Sequence, residues 1–352
     1  MGLPEIIFKL KQKANTAIKR SGNGVVALIL ADDTKTDTVY SYGKVEDVVK
    51  AHWTTANYDY ISLAFLGSPK NVIVIRASAT STDYTAALKH LAAKRANYLA
   101  VPGISDDDVS TISEWVIAQR ANHRNIKAVL PNSASDSEGI INFTTEDIKV
   151  GSKSYTTAQY CARIAGLLAG VPLSQSATNK VLPEVTSITE STTPDKDIND
   201  GKFILVFDGE KIKVGRGVNS LQTISNGKTA DMKKIKIVEG MDLIADDVIN
   251  TFEDDYLGDV PNSYDNKQLF VAAVQNYINE LVDEGVLYGE FDNAVYIDVD
   301  EQREYLKTNG TDVGNMTDEE IKKANTGSKV FIAANVQFED AMEDFTFGMY
   351  IE

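Results

Sequence analysis

The chain has 352 residues, more than one hydrophobic core usually organises, so two globular parts with appendages are expected. No apolar run approaches the roughly 18 to 20 residues that cross a bilayer, and Met1 to Glu5 has no basic-then-apolar leader pattern, so the chain is expected to stay in the cytoplasm. A net charge of -16 argues against nucleic acid as the main partner, yet Lys9, Lys11, Lys13, Lys19 and Arg20 stand against Glu5 alone at the start, a basic arm on an acidic body.

Ile6 to Lys11 alternates, with Ile6, Phe8 and Leu10 on one face, a strand pattern with no hairpin partner nearby. Ser21-Gly22-Asn23-Gly24 punctuates the chain before the apolar run Val25 to Leu30. Strands over 71–76, 98–101 and 126–130 then alternate with helices over 82–95 and 107–122, which favours a largely parallel sheet covered on both faces. A helix over 157–169 expects its C-terminal cap at Gly170, with Pro172 beyond. Its stripe of Ala158, Ala162, Ala165, Gly166 and Ala169 is small enough for another element to approach closely. Residues 186–201 read as a polar connector, and Asp208-Gly209 as the turn of a hairpin between Phe203–Phe207 and Lys211–Gly215.

After Glu239-Gly240 come helical stretches over 241–255 and 264–284, the second striped by Phe270, Val274, Tyr277 or Ile278, and Leu281, and stopped by Gly285. Thr317 to Ala324 is a short helix with a hydroxyl cap, acids in its first turn and lysines in its last. Strands over 329–338 and 345–351 close the chain, the latter with Phe345, Phe347, Met349 and Ile351 on one face. Both ends are thus apolar-faced strands, although termini normally fray unless something holds them.

Only His52, His90 and His123 exist, on different elements, which leaves little for a zinc site or a histidine-based triad. Neither a Gly-x-Ser-x-Gly elbow nor a Walker-type loop occurs. Gly22 to Ala27 imitates a dinucleotide fingerprint but precedes a strand where the fingerprint must follow one. Asp195 to Gly201 imitates a calcium loop, with Asp200 and Val206 where glycine and glutamate are required. Asp106-Asp107-Asp108 and Asp246-Asp247 read as solvated or dipole-complementing charges, and Cys161, inside an apolar helical run, as a packing residue. No catalytic, metal or cofactor-binding residue is assigned, and no cofactor is expected.

Several stretches resemble the contractile tail sheath family, specifically the small sheath subunits of Gram-positive phages, prophages and diffocin-type bacteriocins. They are the basic arm into Ser21 to Ala27; Ala162 to Asn179; Gly215-Arg216-Gly217-Val218-Asn219-Ser220-Leu221, the most specific; Asn325 to Phe331; and Asp340 to Phe347. The resemblance implies a subtilisin-like α/β fold, a doubly covered sheet without a working triad, plus an α+β C-terminal assembly domain with extended strand arms at both ends. It implies residues 1–22 as a linking arm, 23–240 as the α/β domain with its hairpin at 203–215, and 241–352 as a tube-proximal domain ending in a strand arm at 344–352. Further implications are a helical homopolymer of stacked hexameric rings around an inner tube protein, contact with baseplate and tail terminator proteins, and no nucleic acid or membrane insertion. Assembly in a bacterial cytoplasm and release in a phage or bacteriocin tail follow from it too.

In that setting Ile6, Phe8 and Leu10, with Phe345, Phe347, Met349 and Ile351, are the expected subunit-linking residues, because a strand without a partner in its own subunit can join a neighbour's sheet. Lys322 and Lys323 are the candidate tube contact, with complementing a helix C-terminus as the plainer reading. An α/β hydrolase-type enzyme, or another tail or baseplate component, is the alternative.

Overall fold

The computed structural model describes residues 24–79, 83–225 and 227–351. They divide into an α/β unit, 24–242 joined by 341–351, and a C-terminal unit, 243–340.

The α/β unit is built on a seven-stranded sheet of β1 (Val25–Ala31), β2 (Val39–Tyr42), β3 (Asn71–Ala77), β4 (Tyr98–Ala100), β5 (Lys127–Pro131), β6 (Ile140–Phe143) and β10 (Lys202–Phe203). Their order is β10-β6-β5-β4-β1-β3-β2, parallel throughout except for β2 at the edge. The period of two sorts β1 between faces. Val26, Leu28 and Leu30 pack toward α1 (Thr55–Phe65) and α4 (Thr157–Gly170), while Ala27 and Ile29 pack toward α2 (Thr85–Ala92) and α3 (Val109–Ala121). Both faces are therefore dry, as the continuous apolar runs of β1 and β3 require.

Helix α4 starts on a full capping box, Thr156 and Gln159 exchanging bonds. The expected small-residue approach is real: a Cβ on Gly166 would lie 2.0 Å from the Ala64 carbonyl oxygen, and one on Gly170 1.7 Å from that of Gly67. Gly170 is the last helical residue, not the cap, which falls on extended Val171. Its glycine is demanded by contact with the end of α1, not by a left-handed turn.

Residues 186–201 are no plain connector: β9 (Val185–Thr189) completes a small sheet with β7 (Glu146–Val150) and β8 (Lys153–Tyr155), and α5 (Pro194–Asn199) follows. The Asp208-Gly209 hairpin is shorter than expected, β11 (Leu205–Phe207) against β12 (Ile212–Val214), because Phe203 is spent on the main sheet. Glu239-Gly240 does not break the chain; α6 runs Ile235–Asp255, held early by buried Ile235, Ile237 and Val238.

The C-terminal unit comprises the later part of α6, α7 (Tyr264–Asp283), β13 (Ala294–Ile297), α8 (Val299–Thr308), α9 (Asp318–Lys323) and β14 (Ile332–Asn335). The α7 stripe is buried as expected, and Phe252, Tyr256 and Phe270 interlock with ring centroids 4.8–6.1 Å apart. Strands β13 and β14 pair antiparallel, Ala294 opposite Asn335.

Residues 341–351 form no strand, correcting the expectation for 345–351. A strand is defined by its ladder, and this segment has none among the described residues.

Candidate assembly surfaces

The C-terminal tail is the most exposed apolar feature of the described residues. Phe345, Phe347, Met349, Tyr350 and Ile351 are 69–96% exposed, where a soluble monomer normally keeps such a run covered. The four predicted linking residues of this end are thus available to a partner. The N-terminal ones, Ile6, Phe8 and Leu10, lie outside the described residues.

The tail is gripped just before it becomes free. Glu343 receives a bond from Thr178 Oγ1 at 2.7 Å and pairs with Arg216 Nε at 3.0 Å, while the Arg216 Nη2 reaches Asp344 at 2.7 Å. Arg216 opens the Arg-Gly-Val-Asn-Ser-Leu stretch, and the buried polar residues behind it explain that stretch locally. Asn219 donates to the Met232 carbonyl and accepts from its neighbour Leu221 N–H, Ser220 Oγ donates to the Ser137 carbonyl, and Gly217 N–H donates to Thr178 Oγ1. Sequence reasoning singled out this motif but not its hold on the tail, since Arg216 and Glu343 are distant in sequence.

The β13–β14 sheet has two strands, so each has one edge without a ladder partner among the described residues. Unpaired N–H and C=O rows of this kind are templates for an incoming strand. The partner of β14 was not read from the sequence: Ala294 to Ile297 is four residues long and follows a run of turn-forming residues.

Helix α9 carries the predicted Lys322 and Lys323. Thr317 and Glu320 form its capping box, and Ile321 is its buried anchor. Lys322 donates to Glu319 at 2.8 Å, a bond that raises its ammonium pKa, while Lys323 sits 5.5 Å from the Tyr264 ring centroid. Lys322 is thus partly neutralised, leaving Lys323 as the more exposed charge of the pair.

Open parallel sheets place ligands beyond the carboxyl ends of their strands, and Asp32 stands there, immediately after β1. Burial would raise its pKa, but bonds from Asn57 Nδ2, Thr34 Oγ1 and the backbone N–H groups of Thr54 and Thr34 hold the carboxyl well below the usual range. Arg76 bonds it too, its guanidinium stacked 4.3 Å from Trp53. His52 contributes only its backbone carbonyl, to Arg76 and Thr34. A carboxylate saturated by fixed donors is a poor general base.

The calcium-loop imitation folds instead as α5, where Asp197 pairs with Lys202 at 2.7 Å and Asp200 with Lys196. Cys161 is fully buried, and burial pushes its thiol far above the ordinary range. Among the described residues no cluster of His, Cys, Asp and Glu could hold a metal, and no helix is long and apolar enough to cross a membrane.

Residues 77–220 match the family model for the phage tail sheath protein central domain, and residues 227–352 that for the phage tail sheath C-terminal domain. The tail sheath protein of Clostridium phage phiCD119 is 37% identical, over 97% of this chain and 98% of that one. Among solved structures, the sheath tail protein of Listeria innocua superposes with a TM-score of 0.72 at 17% identity, over 96% of this chain and 100% of that one. The helical sheath of the anti-feeding prophage, in its contracted state, gives 0.69 at 15% identity, over 94% of each chain.

Proposed function

Because the chain belongs to the phage tail sheath family and is a structural sheath subunit, not an enzyme, we propose that it polymerises by lending its terminal arms to neighbouring subunits. The observation that carries this reading is the tail, whose apolar side chains are exposed from Phe345 onward. Its acceptor on this reading is an open edge of the β13–β14 sheet in the next subunit, where backbone bonds would make the join and alternate side chains would set the register.

The N-terminal arm, with Ile6, Phe8 and Leu10 on one face and lysines on the other, is assigned the same task, its charge suited to the acidic residues around Glu339 to Asp344. Residues 1–22, 23–240 and 241–352 then serve as arm, body and tube-proximal domain. The inner tube, through Lys322 and Lys323, is the proposed internal partner, with baseplate and tail terminator proteins at the two ends of stacked hexameric rings. Contraction would draw on free energy stored in the assembled array. The subtilisin-like description of the body is supported by the parallel, doubly covered sheet, and Asp32 bound to Arg76 in place of a histidine accords with a body that has no triad.

Negative-stain electron microscopy of the purified chain, alone and with its tube protein, tests the reading. Hollow sleeves wide enough for a tube are expected. Sleeves that still form after deletion of residues 1–20 would refute the N-terminal arm, and a chain monomeric under every condition would refute the linking reading.

A further inference from the structure

We propose that Arg216 and Thr178 are the root of the C-terminal linking arm: they fix where it leaves the body, so that only the residues after Asp344 are free to reach a neighbour. The inference rests on the linking reading and adds positioning residues to it.

Three observations carry it. The hold is local, since the Glu343 side chain is 14% exposed between exposed Met342 and Asp344, whereas every large apolar side chain from Phe345 onward is exposed. Both carboxylate oxygens of Glu343 are engaged, Oε1 by Thr178 and Oε2 by Arg216, which fixes an orientation and not merely a location. The holding groups are themselves fixed: Thr178 Oγ1 accepts from Gly217 N–H at 2.9 Å and from Ser176 Oγ at 3.0 Å, and Arg216 leads directly into buried Asn219 and Ser220. A flexible tail tied only by a surface pair would show none of this backing.

Extended residues rise about 3.3 Å each, so residues 345–351 reach about 23 Å from a fixed point. Fixing that point concentrates the arm where the neighbour's edge must lie, as a short tether raises the effective concentration of what it carries. Charge-assisted bonds to a carboxylate are among the stronger side-chain contacts, so losing Arg216 should free the root in a large share of molecules, with about a tenfold loss of the held population.

The test uses the full chain with Thr346→Cys carrying a fluorescent dye, Cys161 being buried and unreactive in the native state. Arg216→Glu should lower the dye's anisotropy in the monomer, leave the circular dichroism melt nearly unchanged, and cut sleeve formation about tenfold. Adding Glu343→Lys and Asp344→Lys should restore both anisotropy and sleeves toward the parent values. Unchanged anisotropy in Arg216→Glu would overturn the root. Lowered anisotropy with sleeves at the parent yield would overturn its role in assembly. A lowered melt that the reversed charges fail to recover would mean that Arg216 serves only the body's fold. Absence of sleeves from the parent chain itself would remove the linking reading and the role of the root with it, whatever the anisotropy.

Discussion

Phe347→Ala separates a residue that links subunits from one that stabilises its own. Fully burying a phenylalanine is worth about 1.5–3 kcal/mol, and Phe347 is 69% exposed in the subunit, so most of that gain remains available to a neighbour. With the cavity left by truncation included, each join should weaken by about 2 kcal/mol, or about 30-fold. If every added subunit makes one such join, the critical concentration for sleeves rises by about the same factor. The subunit should barely notice, because removing an exposed side chain changes stability by about 0.5 kcal/mol or less, about 1–2 °C in melting temperature. Sedimentation across a concentration series measures the first quantity and a monomer melt the second. A critical concentration within twofold of the parent, or a monomer that melts several degrees lower, would refute the reasoning.

Gly166→Ala should lower the monomer melt by several degrees, since its Cβ would lie 2.0 Å from the Ala64 carbonyl oxygen and overpacking costs about 1–3 kcal/mol; an unchanged melt would deny the close approach of α1 and α4. Lys127→Met should destabilise the body by about 3 kcal/mol, the low end for breaking a buried pair, because its ammonium is 2.6 Å from Asp242 and 3.2 Å from Glu239, and its loss leaves Arg120 as the cation on buried Asp242. Burial alone would raise the Asp242 pKa, but Lys127 and Arg120 outweigh it and hold it below the ordinary range. A depressed carboxyl stabilises above its unfolded pKa, so melting temperature should fall as pH drops below about 4, and less steeply in Lys127→Met; equal acid slopes would discount the pair. Lys322→Glu with Lys323→Glu should leave the monomer melt within about 1–2 °C but abolish co-sedimentation with tube protein, and retained binding would remove α9 from the tube contact.

The parallel sheet was legible because β1 and β3 are continuous apolar runs whose burial on both faces leaves no other reading. Helix α1 was not read, since its sequence mixes aromatic, small and polar residues and its buried Asn57 is there to bond Asp32, a partner 25 positions away. Strand β2 escaped for a similar reason: Val39-Tyr40-Ser41-Tyr42 sits half-covered at the sheet edge. Residues 186–201 looked like a connector because β9 buries little and α5 is a single short turn-rich helix begun by Pro194. The Lys127 cluster could not be read at all. A lysine inside an apolar strand is interpretable only when its acids, 112 and 115 positions later, are folded onto it. Of the assembly surfaces, the tail's alternation was visible in the sequence, while its anchorage through Arg216 and the partner strand of β14 depended on long-range pairing.

The distribution of burial bears on how a sheath subunit can rearrange without unfolding. Among the described residues the α/β body covers both faces of its sheet with its own helices and ties the carboxylate after β1 to Arg76, so its apolar core is filled from within the subunit. The segments assigned to linking are less enclosed: the tail's large apolar side chains are exposed, and β13–β14, in the other unit, is a two-stranded sheet whose outer edges are open among the described residues. Elements of low local stability are the ones that can change partners at small cost to the whole. A join made from such segments, rooted on a body with its own core, would let the linkage and the body respond separately to the same mechanical load. Strengthening the exposed tail should therefore alter sleeve persistence without raising the melt of the monomer, whereas core substitutions should do the reverse.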